Sequence, residues 1–261
     1  MTELLYRKVT GMGLADDFRP CPTLEKNVCV VLTAYNDEEA IGDAVREFIS
    51  QRNVVDLIVV DNNCKDATAI VATNAGARIV TENNQGYGFA CVRGLREALC
   101  CSSADVIVLA EGDMTFRGRD VWKLLPFLED ADLVVGSRTH MHFTDADSQM
   151  DWFYLWGNMF IAKMLQLRFF NLRFMGATRF SDVGCTMRAV SKKALLRIID
   201  DLQVGDGHFS PHMIRVALQN GLRVIEVPIT FRKRVGASKG AGGSKWKGIK
   251  IGLKMLWDIM T

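Results

Sequence analysis

The chain has 261 residues, 49% apolar and 24% charged, which reads as globular rather than disordered and allows one large core, or one core with a small lobe beside it. No window reaches the ~18 uninterrupted apolar residues that a membrane-spanning helix needs, so no bilayer-crossing segment is expected. The net charge of +2 hides an uneven layout: Val227 to Trp257 holds eight Lys or Arg and no acid, a local excess that favours an anionic partner, although no nucleic-acid partner is expected.

In chain order, residues 1–26 show no sustained pattern and read as a loosely attached arm. From there apolar runs alternate with amphipathic ones at the rhythm of repeated strand–helix units. That rhythm predicts an α/β fold with a Rossmann-like, mainly parallel sheet flanked by helices. NVCVVLTAYN (27–36) is a strand entering a loop, and EEAIGDAVREFISQR (38–52) has helical spacing with an acidic first turn. VDLIVVDNN (55–63) is a second strand ending in Asp61, followed by a helix over DATAIVATNA (66–75). After ARIVTENNQGYG (77–88) comes the helix FACVRGLREALC, then the strand VIVLA, which runs straight into Glu111, Gly112 and Asp113. Folds of this kind place their chemistry at the carboxyl ends of strands, where Asp37, Asp61, Glu111 and Asp113 all fall.

Further on, MDWFYLWGNMFIAKMLQLRFFNLRFM (150–175) mixes large apolar residues with Lys163, Arg168 and Arg173 and a single acid. Glycine-rich GASKGAGGSK (236–245) reads as a mobile linker. The tail KWKGIKIGLKMLWDIM sets Trp246, Ile249, Leu253, Leu256 and Met260 at helical spacing, with Lys247, Lys250 and Lys254 turned away. Both stretches suit helices lying in a membrane interface, and core packing or a contact between two copies of the chain explains them almost as well. The expected organisation is an arm over 1–26, a main domain over 27–240 and a basic amphipathic helix over 241–261. Seven cysteines without C-x-x-C spacing, in a chain with no signal-like leader, read as reduced thiols of a cytoplasmic protein rather than as zinc ligands or disulfides.

Two carboxylates separated by one small residue in a turn can both approach a hard divalent cation, Mg2+ or Mn2+, and such a cation usually also holds the phosphates of a ligand. Gly112 between them lets the backbone come close. Taken alone, E-G-D is a weak motif that reads more readily as a loop solvating two acids after a strand.

Order along the chain adds to that motif. VVLTAYNDEEAI, LIVVDNNCKDAT, NQGYGFACVRGL, VIVLAEGDMTF, DLVVGSRTH, SDVGCTMRAV and EVPITFRKRVGASK resemble, in that order, the blocks of family 2 glycosyltransferases with the GT-A fold. They are most similar to the dolichol-phosphate mannose synthase branch, which makes polyprenyl-phosphate sugars, and the resemblance covers roughly residues 27 to 240. It implies an inverting transferase that moves a hexose or N-acetylhexosamine from a UDP- or GDP-sugar. On this likeness Tyr35 and Asp37, with Thr33 where the family has proline, hold base and ribose, and Asp61 contacts the base. The acidic motif, Glu111 in place of the usual aspartate with Gly112 and Asp113, binds metal and diphosphate, and Thr115 stands at a third metal contact. Arg138 matches an arginine near the acceptor phosphate, and Asp182 an aspartate close to the reacting centre. Arg234, Ser238 and Lys239 match a segment that closes over the donor diphosphate. Arg188 is expected to be structural, paired with a carboxylate, and Arg232 and Lys233 fit equally the basic loop over the diphosphate or ordinary solvated charges. D-N-N-C (Asp61 to Cys64) lacks the family's second acid. An expected second arginine at the acceptor is also missing, and His140 and His142 read as solvent-exposed.

Charge dictates the mechanism. The nucleoside diphosphate departs carrying negative charge, which a cation, Arg234 and Lys239 would stabilise. A phosphate acceptor is already ionised and needs no strong base, whereas a hydroxyl acceptor would need one, with Asp182 the natural candidate. Three functions stand: transfer to a polyprenyl phosphate by an enzyme peripheral at a membrane, transfer to a soluble hydroxyl acceptor, and a catalytically silent nucleotide-sugar-binding subunit. A nucleotidyltransferase is disfavoured by the lack of a glycine-rich basic loop after the first strand.

Overall fold

Among the described residues, seven strands form one sheet in the order β3-β2-β1-β4-β6-β5-β7. They are β1 (Val28–Ala34), β2 (Val54–Asp61), β3 (Arg78–Thr81), β4 (Val106–Glu111), β5 (Leu133–Ser137), β6 (Arg188–Ser191) and β7 (Val224–Pro228). The computed structural model describes residues 25–148, 150–172, 176–236 and 245–261. Most of the arm and of the glycine-rich linker, with Ser238 and Lys239, lies outside the described residues. The sheet is mainly parallel, as expected, and β6 runs antiparallel to both of its neighbours, β4 and β5.

Strand β1 shows why the sheet forms. Its seven residues VCVVLTA are all buried, because helices cover both faces and no polar side is needed. Alternate side chains go to opposite layers. Cys29 and Val31 enter one core with helix α3 (Tyr87–Leu99), and Val28, Val30 and Leu32 enter the other with helix α1 (Ile41–Ile49). Helix α3 lies close on the sheet at Gly94, where a Cβ would come within 2.3 Å of Val31 Cγ1. The remaining helices are α2 (Thr68–Asn74), α4 (Val121–Leu124), α5 (Trp152–Arg168), α6 (Lys192–Ile198), α7 (Phe209–Gln219) and α8 (Lys245–Met260).

Helices α5 and α8 pack together beyond the sheet. Asp151 caps α5 by accepting from the Tyr154 N–H at 3.0 Å. On α8, Gly248 and Gly252 face Tyr154 and Ile161 of α5, so the helices approach without an intervening side chain. Helix α8 enters the core through Met255 and Ile259. The stripe read from the sequence is not its packing face: Trp246, Ile249, Leu253 and Met260 are exposed, and only Leu256 packs partly on the core. Core packing therefore accounts for Leu256 but not for the other four residues of that stripe. On α5, Trp152, Trp156, Phe160 and Leu167 are exposed in the same way. Among the described residues no helix is long and apolar enough to cross a membrane, and all six described cysteines are free.

Candidate active site

Three left-handed residues mark the functional end of the sheet. Asn36 (φ 53°) follows β1, Asn63 (φ 61°) follows β2 and Met114 (φ 67°) follows β4. Asparagine tolerates this region, whereas a methionine there is uncommon and marks a turn held by its surroundings. Met114 sits between Asp113 and Thr115, and its turn aims the acidic pair. Neither asparagine nor Met114 was singled out in the sequence, because φ leaves no mark in composition.

The turns border a cavity of about 930 Å³. Thr33, Tyr35, Asp37, Asn62, Glu111, Asp113, Thr115, Arg138 and Arg234 line its polar end. The opposite walls come from α5, including Phe153, Tyr154 and Phe160, and from α8, including Ile249, Leu253 and Met255. One space thus joins the acidic turn to a largely apolar trench between two helices.

Within the polar end each group has a definite partner. Asp37 is buried; its Oδ2 accepts from the Tyr35 N–H at 3.0 Å and its own N–H donates to Thr68 Oγ1 at 2.8 Å. Asp113 is buried too, and its Oδ1 accepts from both the N–H and the hydroxyl of Thr115, at 3.0 and 2.5 Å. Thr115 therefore orients Asp113. The other oxygen, Oδ2, has no hydrogen bond but lies 3.1 Å from Arg234 Nη1, an ion pair without hydrogen-bond geometry. Arg234 Nη2 reaches Asp37 Oδ1 at 3.1 Å, so this guanidinium bridges the two carboxylates. Its loop is fixed by two backbone bonds to the acidic turn, Arg232 N–H to Thr115 O at 2.8 Å and Val235 N–H to Asp113 O at 3.2 Å. Burial, and after it the neighbouring Asp113, push the Glu111 carboxyl up to about 8. Two crowded carboxylates with an oxygen lacking a hydrogen bond suit a hard divalent cation.

Arg138 and Asp182 form the second group. Asp182 is fully buried, and its oxygens accept from Arg138 Nε at 2.7 Å, Arg138 Nη2 at 2.9 Å, the Arg138 N–H at 3.0 Å and the Gly184 N–H at 3.1 Å. The guanidinium also stacks 5.3 Å from the Phe231 ring. The segment bearing Asp182 is tied down by Glu226 of β7, which accepts from both the N–H and the hydroxyl of Ser181, each at 2.5 Å. Glu226 was not found from sequence, since nothing in a strand residue 45 positions away announces this partner.

Other expected residues fall elsewhere. Asp61 is not among the cavity-lining residues, and its Oδ1 accepts from the Cys64 N–H at 2.8 Å. Gly112 makes room for Ile41, whose Cδ1 would lie 2.3 Å from a Cβ there. Asn62, where the family's second acid is missing, joins the loops: its amide donates to Glu82 O and Asn84 O and accepts from the Gly86 N–H. Arg188 is buried and donates to the carbonyls of Ser210 and Cys185, not to a carboxylate as the sequence reading had it. Arg232 is not a solvated charge: it pairs with Glu47 at 2.8 Å and donates to Phe116 O at 2.6 Å. Lys233, His140 and His142 are exposed.

A glycosyl transferase family 2 model matches residues 29–199. The chain belongs to that family. It is a glycosyltransferase with the GT-A fold. A dolichyl-phosphate hexose transferase of Haloferax volcanii is 28% identical over 214 residues, covering 82% of this chain and 86% of the relative. An uncharacterised glycosyltransferase of Mycobacterium tuberculosis is 28% identical over 238 residues, covering 90% and 98%. Among solved structures, the glucosyl-3-phosphoglycerate synthase of Mycobacterium tuberculosis in complex with Mn2+, UDP and glucosyl-3-phosphoglycerate superposes with a TM-score of 0.63 at 17% identity, covering 95% of this chain and 85% of that one.

Proposed function

We propose that this glycosyltransferase moves a hexose or N-acetylhexosamine, with inversion, from a UDP- or GDP-sugar to a polyprenyl phosphate, working from the cytoplasmic surface of a membrane. The observation that carries this reading is the single cavity with a charged end and an apolar trench, a shape suited to an acceptor with a phosphate head and a hydrocarbon tail. The dolichyl-phosphate hexose transferase among the relatives supports it.

Thr33, Tyr35 and Asp37 bind the nucleoside, and Asp61 shapes the base end through the turn it caps. Asp113 and Glu111 would hold Mg2+ or Mn2+, which when bound supplies Lewis-acid neutralisation of the diphosphate. Thr115 keeps Asp113 in place for that purpose. Arg234 already pairs with Asp113 and Asp37, within reach of a diphosphate bound there, and by family likeness Ser238 and Lys239 assist it. On the acceptor side Arg138 binds the phosphate. Nε and Nη2 are held by Asp182, which leaves Nη1 without a partner among the described residues. Asp182, with both oxygens occupied, acts as a positioning residue. An ionised phosphate attacks without a general base, so this division of labour suits a phosphate acceptor better than a hydroxyl. The exposed stripes of α5 and α8 rest on the membrane that carries the acceptor.

Incubating the purified protein with Mn2+ or Mg2+, a panel of UDP- and GDP-sugars and a short polyprenyl phosphate tests the proposal. A glycosylated lipid detected by mass spectrometry is expected. Glycosylation of a soluble hydroxyl acceptor alone would contradict the lipid reading, and donor binding without any transfer would point to a silent subunit.

A further inference from the structure

At the opposite end of the sheet from the donor cavity, three side chains with metal-ligating atoms converge. Cys29 is the second residue of β1 and is fully buried. Asp56, its register partner on β2, places Oδ2 at 4.0 Å from Cys29 Sγ. Cys101, two residues beyond α3, is half-buried, and its carbonyl accepts from Lys192 Nζ at 2.5 Å, which fixes the turn. The two sulfurs and a carboxylate oxygen all lie within 4.8 Å of one another. Five residues of extended strand, about 17 Å, separate Cys29 from the end of β1 at the donor cavity.

We propose that Cys29, Asp56 and Cys101 form a second metal site, for a thiophilic divalent cation such as Zn2+. Tetrahedral bond lengths of about 2.3 Å to sulfur and about 2.0 Å to oxygen require ligand atoms about 3.5–3.8 Å apart, so the cluster closes around a cation by small side-chain rotations. Two thiolates and a carboxylate around a divalent ion leave one negative charge, beside which lies Arg78, with Nη2 2.9 Å from Asp56 Oδ2 and Nη1 2.6 Å from Glu97. Binding balances as an exchange: two S–H bonds break, two S–metal bonds form, and two protons pass to solvent. The acidic turn at the other end of the sheet offers only oxygen and selects hard cations, whereas this cluster selects soft ones. A cation here would clip β1, β2 and the turn between α3 and β4 together.

Cobalt(II) reports the difference, because only thiolate ligation gives an intense near-ultraviolet charge-transfer band. Titrating the reduced protein with Co2+ is expected to produce that band at about one equivalent, and Zn2+ is expected to abolish it. The band should persist in Asp113→Ala and vanish in Cys101→Ser, whose half-exposed position tolerates the change even if Cys29→Ser does not fold. Absence of the band in the reduced protein, its survival in Cys101→Ser, or its loss in Asp113→Ala would overturn the site.

Discussion

At 2.7 and 2.9 Å from Asp182, the Arg138 guanidinium is oriented before any acceptor arrives. A charge held in place loses little entropy when it meets a phosphate, and a hydrogen bond to a charged group contributes about 1.5–3 kcal/mol. Arg138→Ala is therefore expected to raise the acceptor KM roughly 10- to 100-fold while donor affinity, read by calorimetry, stays nearly constant; equal losses on both sides would remove the acceptor role. Asp182→Asn should act in the same direction through misorientation, raising acceptor KM more than it lowers kcat, whereas a general base would show the reverse split. Asp113→Ala should lower metal-dependent turnover by roughly 10²–10³-fold or more, with an unchanged circular dichroism spectrum. Turnover at the normal rate would dismiss the acidic turn as a metal site. Asp113 was legible in the sequence because an acid just past an apolar run is conspicuous, whereas Arg138 and Asp182 were reached through the likeness to the family's blocks. Their pairings were not legible: Arg138 and Asp182 are 44 positions apart, and nothing in the sequence announces that the Thr115 hydroxyl donates to Asp113.

Among the elements, the parallel strands could be read from sequence because β1 and β4 are runs of β-branched and other apolar residues, and β2 is one interrupted only by Asp56 before its terminal Asp61. Strand β6, four residues long and antiparallel, carries no such signal, since its direction is set by the return of the chain from the Asp182 loop. Helix α8 was recognisable as a helix, but which apolar face it buries was decided by Gly248 and Gly252 against α5, a choice that periodicity cannot make. The consequence is an exposed pair of stripes holding four of the five tryptophans, Trp152, Trp156, Trp246 and Trp257. Indole favours an interface where its ring is covered and its N–H remains wet. Exposed Lys250 accompanies the stripes and favours anionic lipid, whereas Lys254 is paired with Asp206. Replacing Trp156 and Trp257 by alanine should weaken sedimentation with anionic vesicles roughly tenfold for each, with activity on a detergent-dispersed acceptor retained. Unchanged vesicle binding would assign the stripes to contact between two copies of the chain instead.

Across the whole molecule, the sheet directs its strand ends toward one cavity and leaves α5 and α8 to extend that cavity beyond the sheet. The donor half follows a layout common to many α/β proteins, with turns after β1, β2 and β4. The acceptor half depends on elements far apart in sequence, joined by the ties from Glu226 to Ser181 and from Asp182 to Arg138. Its existence could be expected from the family likeness, whereas its shape required the packing of α5 on α8. The central claim is that the apolar trench seats the acceptor's tail. The measurement that tests it most directly is kcat/KM for a series of isoprenyl phosphates of increasing length, with donor and cation held fixed and detergent kept constant. Each buried methylene contributes about 0.8 kcal/mol, so kcat/KM should climb at least about tenfold per added isoprene unit until the trench is filled, then level off. A flat series, or a short soluble phosphate used as well as the long ones, would contradict the account.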